Sequence, residues 1–156
     1  MSAPGAVSRR DGYSISTEPR HLDVDAVHRY LSGEAYWSRG VPRETVERAI
    51  AASLNFGLYR GEPGTDLAGF ARVVTDRATF AWLCDVFILE THRDKGLGAW
   101  LVETVVAHPD LQELRNFLLA TRDAHALYAR FGFRALGEPS NWMAIRKRPA
   151  SYLGAP

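Results

Sequence analysis

With 156 residues, 46% of them hydrophobic, the chain carries enough apolar material for one globular domain and little room for a second. Its 19 lysines and arginines balance 18 acidic residues, for a net charge of +1, so no global basic field points to nucleic acid. The single cysteine, Cys84, excludes a disulfide framework and paired-cysteine zinc motifs. No apolar run approaches the ~20 residues that span a bilayer.

The opening MSAPGAVSRRDG lacks the apolar core of a signal peptide, and a reducing, cytoplasmic setting is the default expectation. Residues 1–12 are small, polar and basic and are expected to be flexible. Residues 13–150 should form one domain, and 151–156 a tail. Tyr13 to Glu18 alternates apolar and small polar residues before Pro19 and predicts a first strand. Leu22, Val24, Val27, His28 and Leu31 share a helical face behind a capping Asp23. The linker SGEAYWSRG follows. Pro42 then opens a second helix, carried by Val46, Ala49, Ile50 and Ser53.

Asn55 to Arg60, Asp66 to Thr75 and Thr79 to Leu89 predict three strands. The last two are joined at Asp76-Arg77 as an antiparallel hairpin. Leu97, Leu101 and Val105 mark an amphipathic helix stopped near Pro109, and Phe117 to Thr121 another strand. Asp123 is expected to cap a short helix over 124–131, ended by a left-handed Gly132. Phe133 to Leu136 and Trp142 to Lys147 predict two final strands. The unit from Phe80 to Thr121 is a strand–helix–strand crossover and should be parallel. A mixed sheet with helices on both faces accommodates this order.

The stretch THRDKGLGAW stands where a buried strand becomes a helix. A helix N-terminus presents unpaired N–H groups and the positive end of the dipole, an arrangement suited to phosphate. Gly96 and Gly98 let a ligand approach the backbone, and Arg93 and Lys95 add charge. The plainer alternative is an ordinary strand–helix turn with solvated charges. No G-x-x-x-x-G-K-[ST] loop is present, and the third glycine of a dinucleotide fingerprint is missing.

Arg93-Asp94-Lys95-Gly96-Leu97-Gly98 matches R-x-x-G-x-G. Downstream, Ala124-His125-Ala126-Leu127-Tyr128-Ala129-Arg130-Phe131-Gly132-Phe133 matches a second block, N-x-x-A-x-x-L-Y-x-x-x-G-F, with Thr121 where Asn is frequent. Together these resemble the GNAT superfamily of acyl-CoA-dependent N-acyltransferases, from about Asn55 to Phe133 by motif and over the whole chain by element order. The resemblance implies an α/β (mixed α+β) fold. Its sheet would be twisted, mostly antiparallel and six- to seven-stranded, with about four flanking helices. It implies acetyl-CoA as cofactor, with the diphosphate on the main chain of Arg93, Asp94, Lys95, Gly96, Leu97, Gly98 and Ala99. It further implies a bulge near Ile88 that frees N–H groups for the thioester, a cofactor contact from Thr121, and an acceptor pocket walled by Tyr36 and Trp37.

Acyl transfer to an amine needs a proton donor for the departing thiolate. Tyr128 falls at the tyrosine of the second block, and a phenol with a pKa near ~10 stays protonated where a thiol near ~8.5 begins to ionise. Its alternative role is a packed aromatic. Asp85 interrupts an apolar strand, where a lone carboxylate is costly unless paired. It reads either as a base or ammonium anchor, or as half of a structural ion pair. His28 reads as half-buried packing, His92 as a solvated turn residue, and His125 as a helper or an exposed side chain. None has metal-ligand spacing. Cys84 reads as a buried structural thiol. The acceptor is expected to be a small-molecule or peptide primary amine, with no nucleic acid or membrane partner. WMAIRK offers a homodimer edge. A CoA-binding sensor without turnover is the alternative from another class, and a nucleotide-binding protein a third.

Overall fold

β-branched and aromatic runs bounded by glycine and aspartate turns generate most of the sheet. The computed structural model of the chain describes residues 6–152. Its strands are β1 (Val7–Arg10), β2 (Tyr13–Ser16), β3 (Leu54–Arg60), β4 (Asp66–Thr75), β5 (Phe80–Ile88) and β6 (Asn116–Leu119), side by side in that order. All neighbours are antiparallel except β5 and β6, which are parallel as the crossover requires. Four α-helices accompany them: α1 (Val24–Gly33), α2 (Arg43–Ala51), α3 (Leu97–Val106) and α4 (His125–Ala129).

The helices divide the core into two layers. Ala26, Val27 and Leu31 of α1 and Val46 and Ile50 of α2 cover Tyr59, Phe70 and Phe87 on one side of the sheet. Leu97, Trp100, Leu101, Val102 and Val105 of α3 cover Phe56, Ala68, Val73 and Leu83 on the other. Apolar spacing of three and four along each helix sets which stripe is buried. The Asp23 carboxylate accepts from the Ala26 N–H at 3.0 Å and starts α1 as expected.

Four local expectations are corrected. Val7–Arg10, within the stretch expected to be flexible, pairs with β2 through a turn in which Asp11 and Gly12 both take positive φ, 50° and 82°. That is the favoured twist for a two-residue hairpin. The two final strands are not formed: Phe133 to Leu136 and Trp142 to Lys147 follow irregular paths, so the described sheet has six strands. The α4 N–H group at Ala124 is taken by the Thr121 hydroxyl at 3.1 Å, not by Asp123. His92 is buried at 7% exposure, its Nδ1 2.9 Å from the Tyr13 hydroxyl, because a short 3-10 turn over Glu90–His92 folds it inward. Residues 153–156 of the expected tail lie outside the described residues.

Candidate active site

The site begins with an irregularity in β5. Phe87 pairs with Phe70 and Cys84 with Arg72, so Asp85 and Val86 together stand opposite Ala71. Asp85 takes φ 53°, a left-handed conformation that aspartate tolerates better than most residues. The bulge therefore sits at Asp85–Val86 and not at Ile88, which remains paired with Gly69. The extra residue turns the Asp85 carboxylate toward the loop after α1.

The other edge of β5 parts from its neighbour at the same level. β6 pairs with β5 from Phe80↔Asn116 to Leu83↔Leu119 and no further. Beyond Leu83, β5 continues to Ile88 bonded only to β4, which leaves an extended edge with no strand beside it. Such a gap fits an extended ligand arm that bonds as a strand would.

At the end of β5 the turn into α3 is shaped by its backbone. Asp94 and Gly96 take positive φ, 64° and 75°, and no atom stands within 4 Å of where a Gly96 Cβ would project. The first helical bond runs from the Trp100 N–H to the Gly96 carbonyl at 3.2 Å. The N–H groups of Leu97, Gly98 and Ala99 therefore precede the helical ladder and are available to an anion. Lys95 is exposed beside them. Arg93 bends back: its Nε donates to the Ile88 carbonyl at 2.9 Å and its Nη2 to the Tyr30 hydroxyl at 3.3 Å. It thus staples the turn to the strand end. These observations fit a diphosphate-bearing ligand on residues 93–99 with its arm along β5.

Across the gap, Tyr128 on α4 is 9% exposed and packs edge-on to Phe133. Burial, with smaller contributions from Tyr36 and Asp123, pushes its phenol up to about 12. It stays protonated throughout the neutral range. A cleft of about 300 Å³ joins Tyr128 to Tyr36, Trp37, Asp85 and Thr121, with Trp82 and Arg146 also on its walls. The sequence places these residues on five separate segments, and the fold brings them together. Trp37 donates its Nε1–H to Asp85 Oδ1 at 2.8 Å and stands edge-on to Tyr36. Both rings are nearly half exposed, as pocket walls and not core.

Arg72, which sequence reasoning passed over, donates from Nε to Asp85 Oδ2 at 2.8 Å and from Nη1 to the Ser53 hydroxyl at 3.0 Å. Its side chain is 18% exposed and that of Asp85 11%. The carboxylate is thus paired within the protein, as a poorly solvated charge must be. An arginine in the otherwise apolar run of β4, one hairpin away from a lone aspartate, was the available signal. Arg122 was missed as well; its guanidinium lies 3.7 Å from the Tyr36 ring centroid and fixes that wall. Burial raises the Cys84 thiol to about 12, partly opposed by Arg72 and assisted by Asp85, so it is no nucleophile at neutral pH. His125 is exposed, and the His28 Nε2 lies 2.9 Å from the Val41 carbonyl, a structural contact. Among the described residues no group of His, Cys, Asp and Glu could hold a metal ion. Among the same residues no helix is long and apolar enough to cross a membrane.

Comparison with known proteins agrees with this geometry. A Gibberella zeae protein named provisionally as an acetyltransferase is 33% identical over 140 residues, 78% of each chain. A crystal structure from Xanthomonas campestris pv. campestris, assigned provisionally to the GNAT family, is 44% identical. It covers 93% of this chain and 99% of its own, with a TM-score of 0.84. A Clostridium acetobutylicum acetyltransferase structure containing acetyl-CoA shares the fold alone, at 13% identity and TM-score 0.62 over 86% of this chain and 94% of its own. The model of the acetyltransferase (GNAT) family matches residues 24–133. The chain therefore belongs to the GNAT family and is an acyl-CoA-dependent acetyltransferase, built on the mixed α/β sheet of that family.

Proposed function

We propose that the protein transfers the acetyl group of acetyl-CoA to a primary amine of a small-molecule or peptide acceptor, by direct attack without an acyl-enzyme. The observation that carries this reading is the convergence of a protonated, buried phenol and a paired carboxylate at the point where β5 and β6 part. Acetyl-CoA supplies an activated thioester. The chain's own groups do the rest. Main-chain N–H groups of Leu97, Gly98 and Ala99 hold the diphosphate, and Arg93, Asp94, Lys95 and Gly96 set the turn that presents them. The free edge of β5 from Cys84 to Ile88 aligns the arm, and the Thr121 hydroxyl lies beside its path.

The acceptor enters between Tyr36 and Trp37. Asp85 meets its amine: each carboxylate oxygen already accepts one protein donor and keeps a lone pair for an N–H. As the neutral amine forms the C–N bond and the C–S bond breaks, Tyr128 gives its phenolic proton to the departing sulfur, and the proton that the amine nitrogen then sheds returns to the phenolate, so the transfer closes with a neutral amide and a free thiol. The charged groups on the cleft wall are Asp85, Asp123 and Arg146, and Asp85 is already paired with Arg72, so the lining suits a single amine better than a polycationic acceptor. We infer a cytoplasmic setting from the lone cysteine, Cys84.

Release of free CoA thiol from acetyl-CoA, measured across a panel of primary amines, tests the proposal. Acceptor-dependent release is expected for at least one amine. No release from any amine, despite a CoA-induced rise in thermal stability, would leave a CoA-binding module and overturn it.

A further inference from the structure

His92 and Trp100 stand immediately before and immediately after the turn over residues 93–99, and both are buried. Between them residues 93–96 are exposed, Asp94 and Gly96 are left-handed, and Gly96 has open space around it. Packing does not fix the middle of the turn, so its shape depends on how its ends are held. One pair of residues touches both ends. Arg10 and Tyr13 face each other across the β1–β2 hairpin. The Tyr13 hydroxyl lies 2.9 Å from His92 Nδ1, with the rings edge-on at 5.7 Å. The Arg10 guanidinium lies over the Trp100 ring, 5.3 Å from its centroid, and donates from Nη2 to Glu103 Oε2 at 3.1 Å. A cation at that distance is attracted by an indole face. The Arg10–Glu103 pair is half exposed on both sides and contributes little on its own. The hairpin is in turn tied to the rest of the sheet. Tyr13 pairs with Arg60 of β3, and the Ser14 hydroxyl donates to the Gly61 carbonyl at 2.6 Å. From the start of β4, Asp66 Oδ2 lies 3.8 Å from His92 Nε2.

We propose that the β1–β2 hairpin, through Arg10 and Tyr13, positions the diphosphate turn and so sets the affinity for CoA without touching it. Tyr13 holds the entrance of the turn through His92, and Arg10 holds its exit through Trp100. The sheet behind the hairpin keeps the spacing of the two contacts. N–H groups aligned before the ligand arrives do not have to be ordered by it, and the cost of that ordering is what the brace removes. Arg10 and Tyr13 are positioning residues: neither is on the walls of the acceptor cleft where Tyr128 and Asp85 meet.

The inference rests on residues 93–99 being the diphosphate site of the proposed function, and titration calorimetry of the full chain with CoA tests the two separately. No binding of CoA to the parent protein overturns both. With the parent binding, two variants probe the brace. Tyr13→Phe keeps the ring and loses the hydroxyl, and Arg10→Met keeps the stem and loses the charge. Each should raise the dissociation constant for CoA by about fivefold or more. Arg10→Lys restores a cation over Trp100 and should return the affinity to within about twofold of the parent. Arg9→Met removes a contact of the same hairpin that lies away from the turn, the 3.0 Å bond to Glu62, and should leave CoA affinity unchanged. Parent-like affinity in either Tyr13→Phe or Arg10→Met overturns the brace and leaves the diphosphate site standing. An equal loss in Arg9→Met also overturns it, because the effect would then be general loosening of the hairpin. Where an acceptor has been found, Tyr13→Phe and Arg10→Met should raise the KM for acetyl-CoA while kcat stays within about twofold. A fall in kcat at unchanged KM overturns the positioning role.

Discussion

β3 and β4 share seven register pairs and are buried along nearly their whole length, whereas β5 and β6 share four pairs and then separate. One sheet thus contains a closed half and an open half. In the closed half the strands pair along nearly their whole length, with one irregularity at Leu58–Tyr59, and side chains interlock with α1, α2 and α3. In the open half the chain gives up pairing, adopts left-handed conformations at Asp85, Asp94 and Gly96, and collects its polar side chains. The difference shows where binding capacity comes from: backbone groups can be offered to a ligand only where the sheet does not use them. The closed half is what makes that omission tolerable, because it holds β5 rigid from one side.

The sharpest way to break the comparison is in the closed half. Phe70 is fully buried, packed at a tilt against Phe87 and under the α1–α2 layer. Phe70→Ala should lower unfolding free energy by about 3–5 kcal/mol through lost transfer energy and a residual cavity. Urea denaturation measures it. In the open half the largest effect should be on rate. Tyr128→Phe removes the proton donor and should cut kcat about a hundredfold, with little change in the KM for acetyl-CoA. Equal losses in both would make Tyr128 a packing residue.

The same phenol carries a pH signature. Its folded pKa lies at about 12 against an ordinary 10.0, so the folded chain keeps the proton longer than the unfolded one. Its contribution to stability is complete below pH 10 and declines as pH rises through about 12. The parent should therefore lose more stability over that alkaline range than Tyr128→Phe, and its kcat should show no descending limb from this group near neutrality.

A smaller effect belongs to the seam between the halves. Arg72→Gln leaves the Asp85 carboxylate without its charge partner and should destabilise the fold by about 1–3 kcal/mol. It should also loosen Trp37, whose indole is fixed through the same carboxylate. Trp fluorescence broadening on the red side, without global unfolding, reports that loosening.

How much of this could be read from the sequence follows the same division. The closed half was legible: alternation and apolar runs gave β3, β4 and β5 to within a residue or so, and Asp23 and Pro42 gave the helix starts. The turn at Gly96 was legible too, because glycine spacing carries conformational information directly. What failed depended on partners distant in sequence. The Arg72–Asp85 pair needs the hairpin register, and that register contains a bulge. The burial of His92 depends on Tyr13, 79 residues away. Trp142 to Lys147 has the pattern of a strand, but a pattern specifies a strand's faces and not the edge it will meet. The β1 hairpin was the exception, since Asp11-Gly12 is a local turn signature obscured by the polar residues around it.

The smallest expected effects concern the two glycines of the α3 turn, and they separate folding from binding most cleanly. Gly96 needs a left-handed conformation, φ 75°, with open space around it. Gly96→Ala should cost about 1 kcal/mol of stability from backbone strain alone. Gly98 lies inside the first turn of α3 with no positive φ, and a Cβ there would sit 3.8 Å from Ile88 Cγ1, an ordinary contact. Gly98→Ala should therefore leave the ligand-free protein unchanged or stabilise it by up to about 1 kcal/mol, through better helix propensity. If the turn serves only the fold, CoA affinity in Gly98→Ala should match the parent. If its N–H groups hold a diphosphate, the added methyl stands in the ligand's approach, and CoA should raise the melting temperature less than it does for the parent. A protein made more stable by a substitution and less responsive to CoA by the same substitution has a glycine kept for the ligand and not for the chain.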